Sequence, residues 1–480
     1  MNKPPVIFRA DGSAQTGLGH LVRSGALADM LSDHFDCRLV YRECPKSLIE
    51  ELQDTFSRVE AMPSGGAGGN EAEVLVRLLA DWEETNAIVV LDGYQFDADY
   101  QATLVDAGHR VVCIDDIHEY EFPAHLVINH APSATLNDYQ LASYTQTALG
   151  LRFALLRHAF RDIASSPTQA TARRGIFVCL GGADPNNDTI KVLQRLEDCE
   201  VKDPVSVVVG SAYRYADELE RFRSGTSLHL EILHGLGPEQ MARNMADSAI
   251  GITSPSTVSL EYLSAGGQLY LVPIADNQRD IYASMLRLGQ AHNFADFSPA
   301  AVHQLEPSSE AVMDGLQDYR FRALFRNLGM TCRLATPADS SLYLEWANDS
   351  QVRAQSFSSN PISVAEHEKW FGSALTDPST QLLLFQKDGQ SVGQVRLRLN
   401  GNVATINYSV AGTARGQSTG LAMLLYAENH LRRHHPDIRS IQGYVKRSNP
   451  ASLVTFQRLG YREQPTADYP DAVKFEFHEL

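Results

Sequence analysis

The chain has 480 residues, enough for roughly two to four domains, and 44% of them are apolar, which is ordinary for a globular protein. Its formal charge is −17 with no long basic run, which argues against nucleic acid or an anionic membrane as the main partner and leaves room for a local basic pocket that holds a small phosphate. The six cysteines form no CxxC pair, so zinc and redox motifs are unsupported and the thiols read as reduced. No metal cage is visible and no metal is expected.

At the start, PPVIF is too short for the apolar core of a signal peptide, and no apolar run approaches the ~18 residues of a membrane span. A cytoplasmic protein is expected. The runs PVIFRAD, CRLVYR, AIVVLDG and RVVCIDD are short, rich in β-branched residues, and closed by polar ones. Helical stretches such as Leu21–Leu31 and Glu71–Glu84 lie between them. This alternation predicts parallel strands with crossover helices. The loop PSGGAGGN (Pro63–Asn70) is too glycine-rich to pack and is expected to be mobile. A second series follows, with GIFVCLGG, VSVVVG, LHLEIL, SAIGIT and LYLVPIA as strands. Ser165–Arg174 reads as the hinge between the two units. The expected α/β architecture is therefore two doubly wound domains, 1–165 and 166–326, with ligands in the cleft at the carboxyl ends of the strands.

Past about Thr331 the pattern changes to a strand, a helical region and a meander with turns at Asp388–Gly389 and Asn400–Gly401. A glycine-containing turn and two strand–helix steps complete a separate α+β domain, 330–480.

The residues that carry chemistry follow strands. After VIFRAD the chain turns through Gly17-Leu18-Gly19 and enters a helix at His20. Glycines there let a ligand approach the backbone, and the helix N-terminus offers unpaired N–H groups to a phosphate. A neutral His20 imidazole can act as general base on water; alternatively, His20 only begins a helix. Asp11 is placed either to orient His20 or to serve as a turn or cap residue. LDGY puts Asp92 and Tyr94 at one strand end, and LGGADPNND, SPSTVSLE and ADNQ open helices in the second unit. Each alone is turn chemistry; together they outline one cleft.

The combination RADG…GLGHLVR, LDGY, LGGADPNN, SLE and NQ resembles the UDP-sugar hydrolases of pseudaminic acid biosynthesis, over roughly Met1 to Arg326. That family has the two-domain glycosyltransferase-B architecture of two Rossmann-like domains and releases UDP from UDP-2,4-diacetamido-2,4,6-trideoxy-β-L-altropyranose. The resemblance implies that His20 is the base, that Tyr94 and Asn277 touch the sugar or the water, and that Gly17, Gly19, Gly181, Gly182, Asp184, Ser256, Glu261 and Gln278 hold substrate or UDP, with Glu261 on the ribose. Pro255 stands where the family usually has glycine.

The blocks INYSVAGTARGQSTGLAMLLYAENHL and IQGYVKRSNPASLVTFQRLGYRE resemble the GNAT superfamily of acyl-CoA N-acyltransferases, over about Met330 to Leu480. The resemblance implies acetyl-CoA on Ser409 and Val410, its pyrophosphate at the turn through Arg415, Gly416, Ser418 and Gly420, and Asn449 near the pantetheine arm. Ser418 replaces a usual glycine. Phe456 replaces the tyrosine that protonates the leaving thiolate, for which Tyr408 is a substitute unless it is a packed strand aromatic. EWANDSQVR and SFSSNPIS resemble sugar-nucleotide acetyltransferases of the same pathway. They imply 4-N-acetylation of UDP-4-amino-4,6-dideoxy-N-acetyl-β-L-altrosamine, whose product the hydrolase would use. The partners expected are this UDP-amino sugar, acetyl-CoA and neighbouring pathway enzymes. The rival reading is a glycosyltransferase of the same architecture fused to an acyltransferase or docking domain.

Overall fold

The computed structural model describes residues 3–13, 17–63, 70–165, 173–182, 184–210, 212–303, 313–466 and 469–478, with only the backbone of Ser47 and Asn277. Most of the glycine-rich loop after Pro63 and most of the hinge at 165–174 lie outside the described residues.

Strands β1 (Pro5–Ala10), β2 (Asp36–Tyr41), β3 (Arg58–Ala61), β4 (Ile88–Asp92) and β5 (Arg110–Ile114) lead the chain. Then come β6 (Glu121–Phe122), β7 (Leu126–Asn129), β8 (Gln140–Leu141) and β9 (Gln146–Leu149). Seven of these form one sheet in the order β3-β2-β1-β4-β5-β7-β9, while β6 and β8 pair apart from it. Every pairing in the large sheet is parallel. A second parallel sheet holds β10 (Ile176–Cys179), β11 (Val205–Val209), β12 (Leu230–His234), β13 (Ile250–Thr253), β14 (Gln268–Leu271) and β15 (His292–Asn293). Its order is β12-β11-β10-β13-β14-β15. Each strand run read from the sequence is a strand here.

The strand order reverses beside β1 in the first sheet and beside β10 in the second. Loops leaving neighbouring strands there part to opposite faces and open a crevice at the carboxyl edge. β1 and β4 are that pair in the first sheet, in register from Val6↔Ile88 to Ala10↔Asp92. All five residues of β4 are buried, as a strand covered by helices on both faces requires.

The third sheet contains β16 (Thr331–Leu334), β17 (Thr380–Lys387), β18 (Gln390–Asn400), β19 (Val403–Val410), β20 (Ser440–Lys446), β21 (Arg462–Gln464) and β22 (Ala472–Phe477). It is antiparallel except between β19 and β20. The β17–β18 hairpin turns through Asp388 and Gly389 at φ +50° and +76°, the two positive values of a type I′ turn. β19 and β20 pair only from Val403↔Ser440 to Thr405↔Gln442. Beyond Thr405 they diverge.

The third unit packs against the first. The helix Gln317–Arg326 packs on the helix Gly19–Leu31 and also on the helix Thr419–His434. Phe321, Leu324, Phe325 and Leu328 are buried in one apolar cluster that runs from Phe8 and Leu27 to Leu424 and Phe475. Polar ties reinforce the join. Arg152 Nη1 meets the buried Glu428 carboxylate at 2.9 Å, and Asn429 Nδ2 donates to the Thr147 carbonyl at 2.9 Å. The sequence reading missed this because periodicity marks an apolar face without naming what covers it. No helix among the described residues is long and apolar enough to cross a membrane.

Candidate functional site

The helix Gly19–Leu31 begins without a side-chain cap, since Leu18 at its N-cap supplies no acceptor. Among the described residues its N-cap side chain leaves the first N–H groups untaken, and a helix start of this kind suits an anion. Gly17 and Gly19 are exposed beside it, with nothing within 4 Å of where a Cβ would stand. His20, in the first turn, donates from Nδ1 to Asp92 Oδ1 at 2.7 Å. Asp92 closes β4 and is fully buried. Arg23, one turn on, donates from Nε at 2.9 Å to both Asp92 oxygens and from Nη2 at 2.6 Å to Oδ1. Its Nη1 reaches Asp116 at 2.9 Å, and Ser24 Oγ also donates to Asp92, at 3.2 Å. Burial works to raise the Asp92 carboxyl, but the Arg23 charge and the bonds from His20 and Arg23 hold it below the usual carboxylate range. An ionised Asp92 accepts only, so the 2.7 Å contact is a hydrogen bond with the proton on Nδ1 and Nε2 as the basic nitrogen; Arg23 Nη2, 3.0 Å from the same Nδ1, then donates to Asp92 Oδ1 instead.

Tyr94 packs its ring edge-on to His20 with centroids 5.0 Å apart, and it is 46% exposed, so a ligand can reach it. Asp11 is a correction. It does not orient His20: its carboxylate pairs with the buried Arg9 at 2.8 Å and accepts from the backbone N–H of Arg42 and Glu43. The acid that orients His20 is Asp92, which stands at the neighbouring strand end. Sequence reasoning also passed over Arg23, Asp116 and His130. His130 follows β7 and is pushed down to about 4, first by burial and then by the Arg23 charge. Its Nδ1 accepts from the Leu155 N–H at 3.3 Å.

In the second unit Gly181 and Gly182 leave β10, and Gly181 holds φ +99°, a conformation that clears the backbone of side chains. Ser256 begins the helix Thr257–Ala265, with its Oγ 3.0 Å from Ser254 Oγ. Glu261, inside that helix, is buried and takes Arg157 Nε on Oε1 at 2.8 Å. Burial outweighs Arg157 and leaves this carboxyl above its ordinary range. Asp184 is a second correction: both its oxygens accept backbone N–H groups, from Asp188 at 2.9 Å and Thr189 at 2.8 Å. These bonds hold it against the start of the helix Asp188–Asp198, whose N-cap residue is Asn187. Gln278 Oε1 accepts from the Ile274 N–H at 2.9 Å. The side chain of Asn277 lies outside the described residues.

A cavity of about 880 Å³ occupies the third unit where β19 and β20 diverge. Tyr408, Ser409, Val410, Arg415 and Asn449 line it. Beside it the turn through Gly416 and Ser418 leads into the helix Thr419–His434, and no side chain caps the Ser418 end. Ser418 adopts φ +58°, which suits glycine better. Arg415 is held by Asp349 at 2.9 Å, Gln351 at 2.7 Å and the Val410 carbonyl at 3.2 Å. Gly420 lies against the Tyr408 ring. Asn449 caps the helix Pro450–Leu459 through the Ser452 N–H. Tyr408 shares a 3.0 Å hydrogen bond with Ser452 Oγ, and burial raises its hydroxyl. Phe456 is buried and stacked on Phe475. Among the described residues no group of three or more His, Cys, Asp or Glu could hold a metal ion.

Residues 330–462 match the acetyltransferase (GNAT) domain family, so the chain carries a GNAT acetyltransferase domain there. The chain is 24% identical over 291 residues to the UDP-2,4-diacetamido-2,4,6-trideoxy-β-L-altropyranose hydrolase of Campylobacter jejuni, covering 59% of this chain and 97% of that protein. It is 21% identical over 379 residues to the uncharacterized protein MJ1062 of Methanocaldococcus jannaschii, covering 75% and 76% of the two chains. Among solved structures, the aminoglycoside acetyltransferase AAC(6′)-Ib in complex with coenzyme A is 21% identical, with a TM-score of 0.28 over 31% of this chain and 94% of that one. The architecture is a hydrolase-like segment fused to a GNAT domain.

Proposed function

We propose that the chain is a bifunctional cytoplasmic enzyme of pseudaminic acid or a close nonulosonic acid synthesis. Residues 1–165 and 166–326 would be the two Rossmann-like domains of a glycosyltransferase-B-type UDP-sugar hydrolase, and 330–480 an acetyl-CoA-dependent N-acetyltransferase. In the first step the 4-amino group of the UDP-amino sugar attacks the thioester carbonyl of acetyl-CoA. The C–S bond breaks, the attacking nitrogen gives up a proton and the thiolate takes one, for which the Tyr408–Ser452 pair is a hydroxyl source on the cavity wall. In the second step His20 Nε2 takes a proton from water as the oxygen attacks the anomeric carbon. The glycosyl C–O bond breaks and UDP leaves with the electron pair. Asp92 stabilises the imidazolium that forms. The open helix N-termini at His20 and Ser256 suit the diphosphate charge.

The His20–Asp92 pair carries this reading. A buried, ionised carboxylate fixes the tautomer of an imidazole at the strand-order reversal, where a ligand crevice forms. The test mixes the full chain with UDP-4-amino-4,6-dideoxy-N-acetyl-β-L-altrosamine and acetyl-CoA, and follows free thiol and free UDP together. Thiol should appear first and UDP second, and His20→Ala should stop only the UDP. Thiol without UDP in the unsubstituted protein would overturn the hydrolase reading, and neither product would overturn the substrate.

A further inference from the structure

The acetyltransferase cavity has a charge that sets it apart from the rest of the chain. Four cationic side chains line it, Arg353, Arg396, Arg415 and Lys446, against one carboxylate, Glu366. The chain as a whole carries −17. Three of the cations are occupied. Arg415 is tied to Asp349 and Gln351, Arg353 to the Ser358 and Asn360 carbonyls, and Lys446 reaches the Ala354 carbonyl. Glu366 is bound into the start of its own helix through Ser363.

Arg396 differs. It stands on β18, on the face opposite the apolar Val395 and Leu397, across from Asn407 of β19. Its guanidinium lies 5.6 Å from the Trp370 ring centroid and has no carboxylate partner among the described residues. It is only partly exposed, and burial lowers its pKa with Arg398 adding to the effect. A partly buried cation with only an aromatic face against it is poorly compensated. A ligand anion would supply the missing charge and the fork geometry of a guanidinium suits phosphate oxygens.

We propose that Arg396, steadied by Trp370, is the specificity-determining residue of the acceptor subsite and binds the diphosphate of a nucleotide-linked amine. This deepens, and rests on, the reading of the third unit as an acetyltransferase acting on a UDP-amino sugar. The subsite selects against acceptors that carry only positive charge, because such an amine would add to the cationic excess of the cavity.

Two measurements on the full chain test it. In the first, Arg396→Gln should raise KM for the UDP-amino sugar at least about tenfold, with kcat and the acetyl-CoA KM within about twofold. The same variant should leave the free 4-amino sugar, which lacks the diphosphate, unaffected. Equal losses on both acceptors would overturn the proposal. The second uses protein labelled with 5-fluorotryptophan, with the Trp370 resonance assigned through Trp370→Phe and CoA present at saturation. UDP should shift that resonance, uridine should not, and Arg396→Gln should abolish the shift. No UDP shift, or the same shift in the variant, would overturn the anion site. A UDP shift without acetylation of the amino sugar would support the anion site and overturn only the assigned substrate.

Discussion

His20 and Asp92 lie 72 residues apart in the chain and meet at 2.7 Å, imidazole Nδ1 to a fully buried carboxylate. The pairing of β1 with β4 brings them together, because the helix that follows β1 starts over the end of β4. Asp92→Asn keeps the shape and removes the charge that holds the tautomer. On the proposed function, UDP release from the diacetamido sugar nucleotide should slow by about 10²- to 10⁴-fold. Acetylation by the third unit should keep its rate, which also reports that the variant has folded. Single-turnover UDP release measures the first and thiol release the second. A loss smaller than about tenfold would remove Asp92 from the mechanism.

Ser418 holds φ +58° at the start of the helix Thr419–His434. A left-handed conformation costs a residue with a Cβ roughly 1–2 kcal/mol, a penalty glycine avoids. Ser418→Gly should therefore raise stability by about 1 kcal/mol in denaturant unfolding, with acetyl-CoA binding retained because the backbone N–H is unchanged. Destabilisation would mean that the serine hydroxyl contributes to the turn.

The first strands and their carboxyl-end residues were legible because β-branched runs closed by glycine and acid are local signals, and β4 with Asp92 shows one. What escaped was non-local. Asp11 and Asp92 both end strands, and only the strand order decides which of them meets His20. Asp184 looked like a ligand residue because a polar loop after two glycines serves a helix cap as readily as a phosphate. Arg157 and His130 belong to the segment around β7 and β9, whose short strands give little periodicity. The shared core of the first and third units depends on the helix Gln317–Arg326, whose apolar residues face two partners at once.

That shared core predicts a single unfolding unit. Glu428 is buried between Arg152 and Tyr461, its carboxylate 2.9 Å from one and 3.2 Å from the other. Removing it leaves a buried guanidinium uncompensated, which costs about 3–5 kcal/mol. Glu428→Ala should lower the melting of the first and third units together, read by the Trp82 signal in one and the Trp346 signal in the other after fluorotryptophan labelling. A change confined to the Trp346 signal would mean that the two units unfold independently.

His130 is neutral in the folded chain until about pH 4, because burial and the nearby Arg23 charge oppose its protonation. In the unfolded chain it takes its proton near the ordinary value of about 6.5. As pH falls from about 6.5 to about 4 the unfolded state binds a proton that the folded state does not. Stability therefore declines with acidification through this window, by at most about 3 kcal/mol from this group, and levels off below it. His130→Gln keeps an acceptor for the Leu155 N–H and removes the titration. The stability advantage of the unsubstituted protein over the variant, measured by urea unfolding, should shrink steadily from pH 6.5 to pH 4, the window set by these two values. A constant difference across that range would place the His130 proton elsewhere and separate its titration from the Arg23–Asp92 cluster.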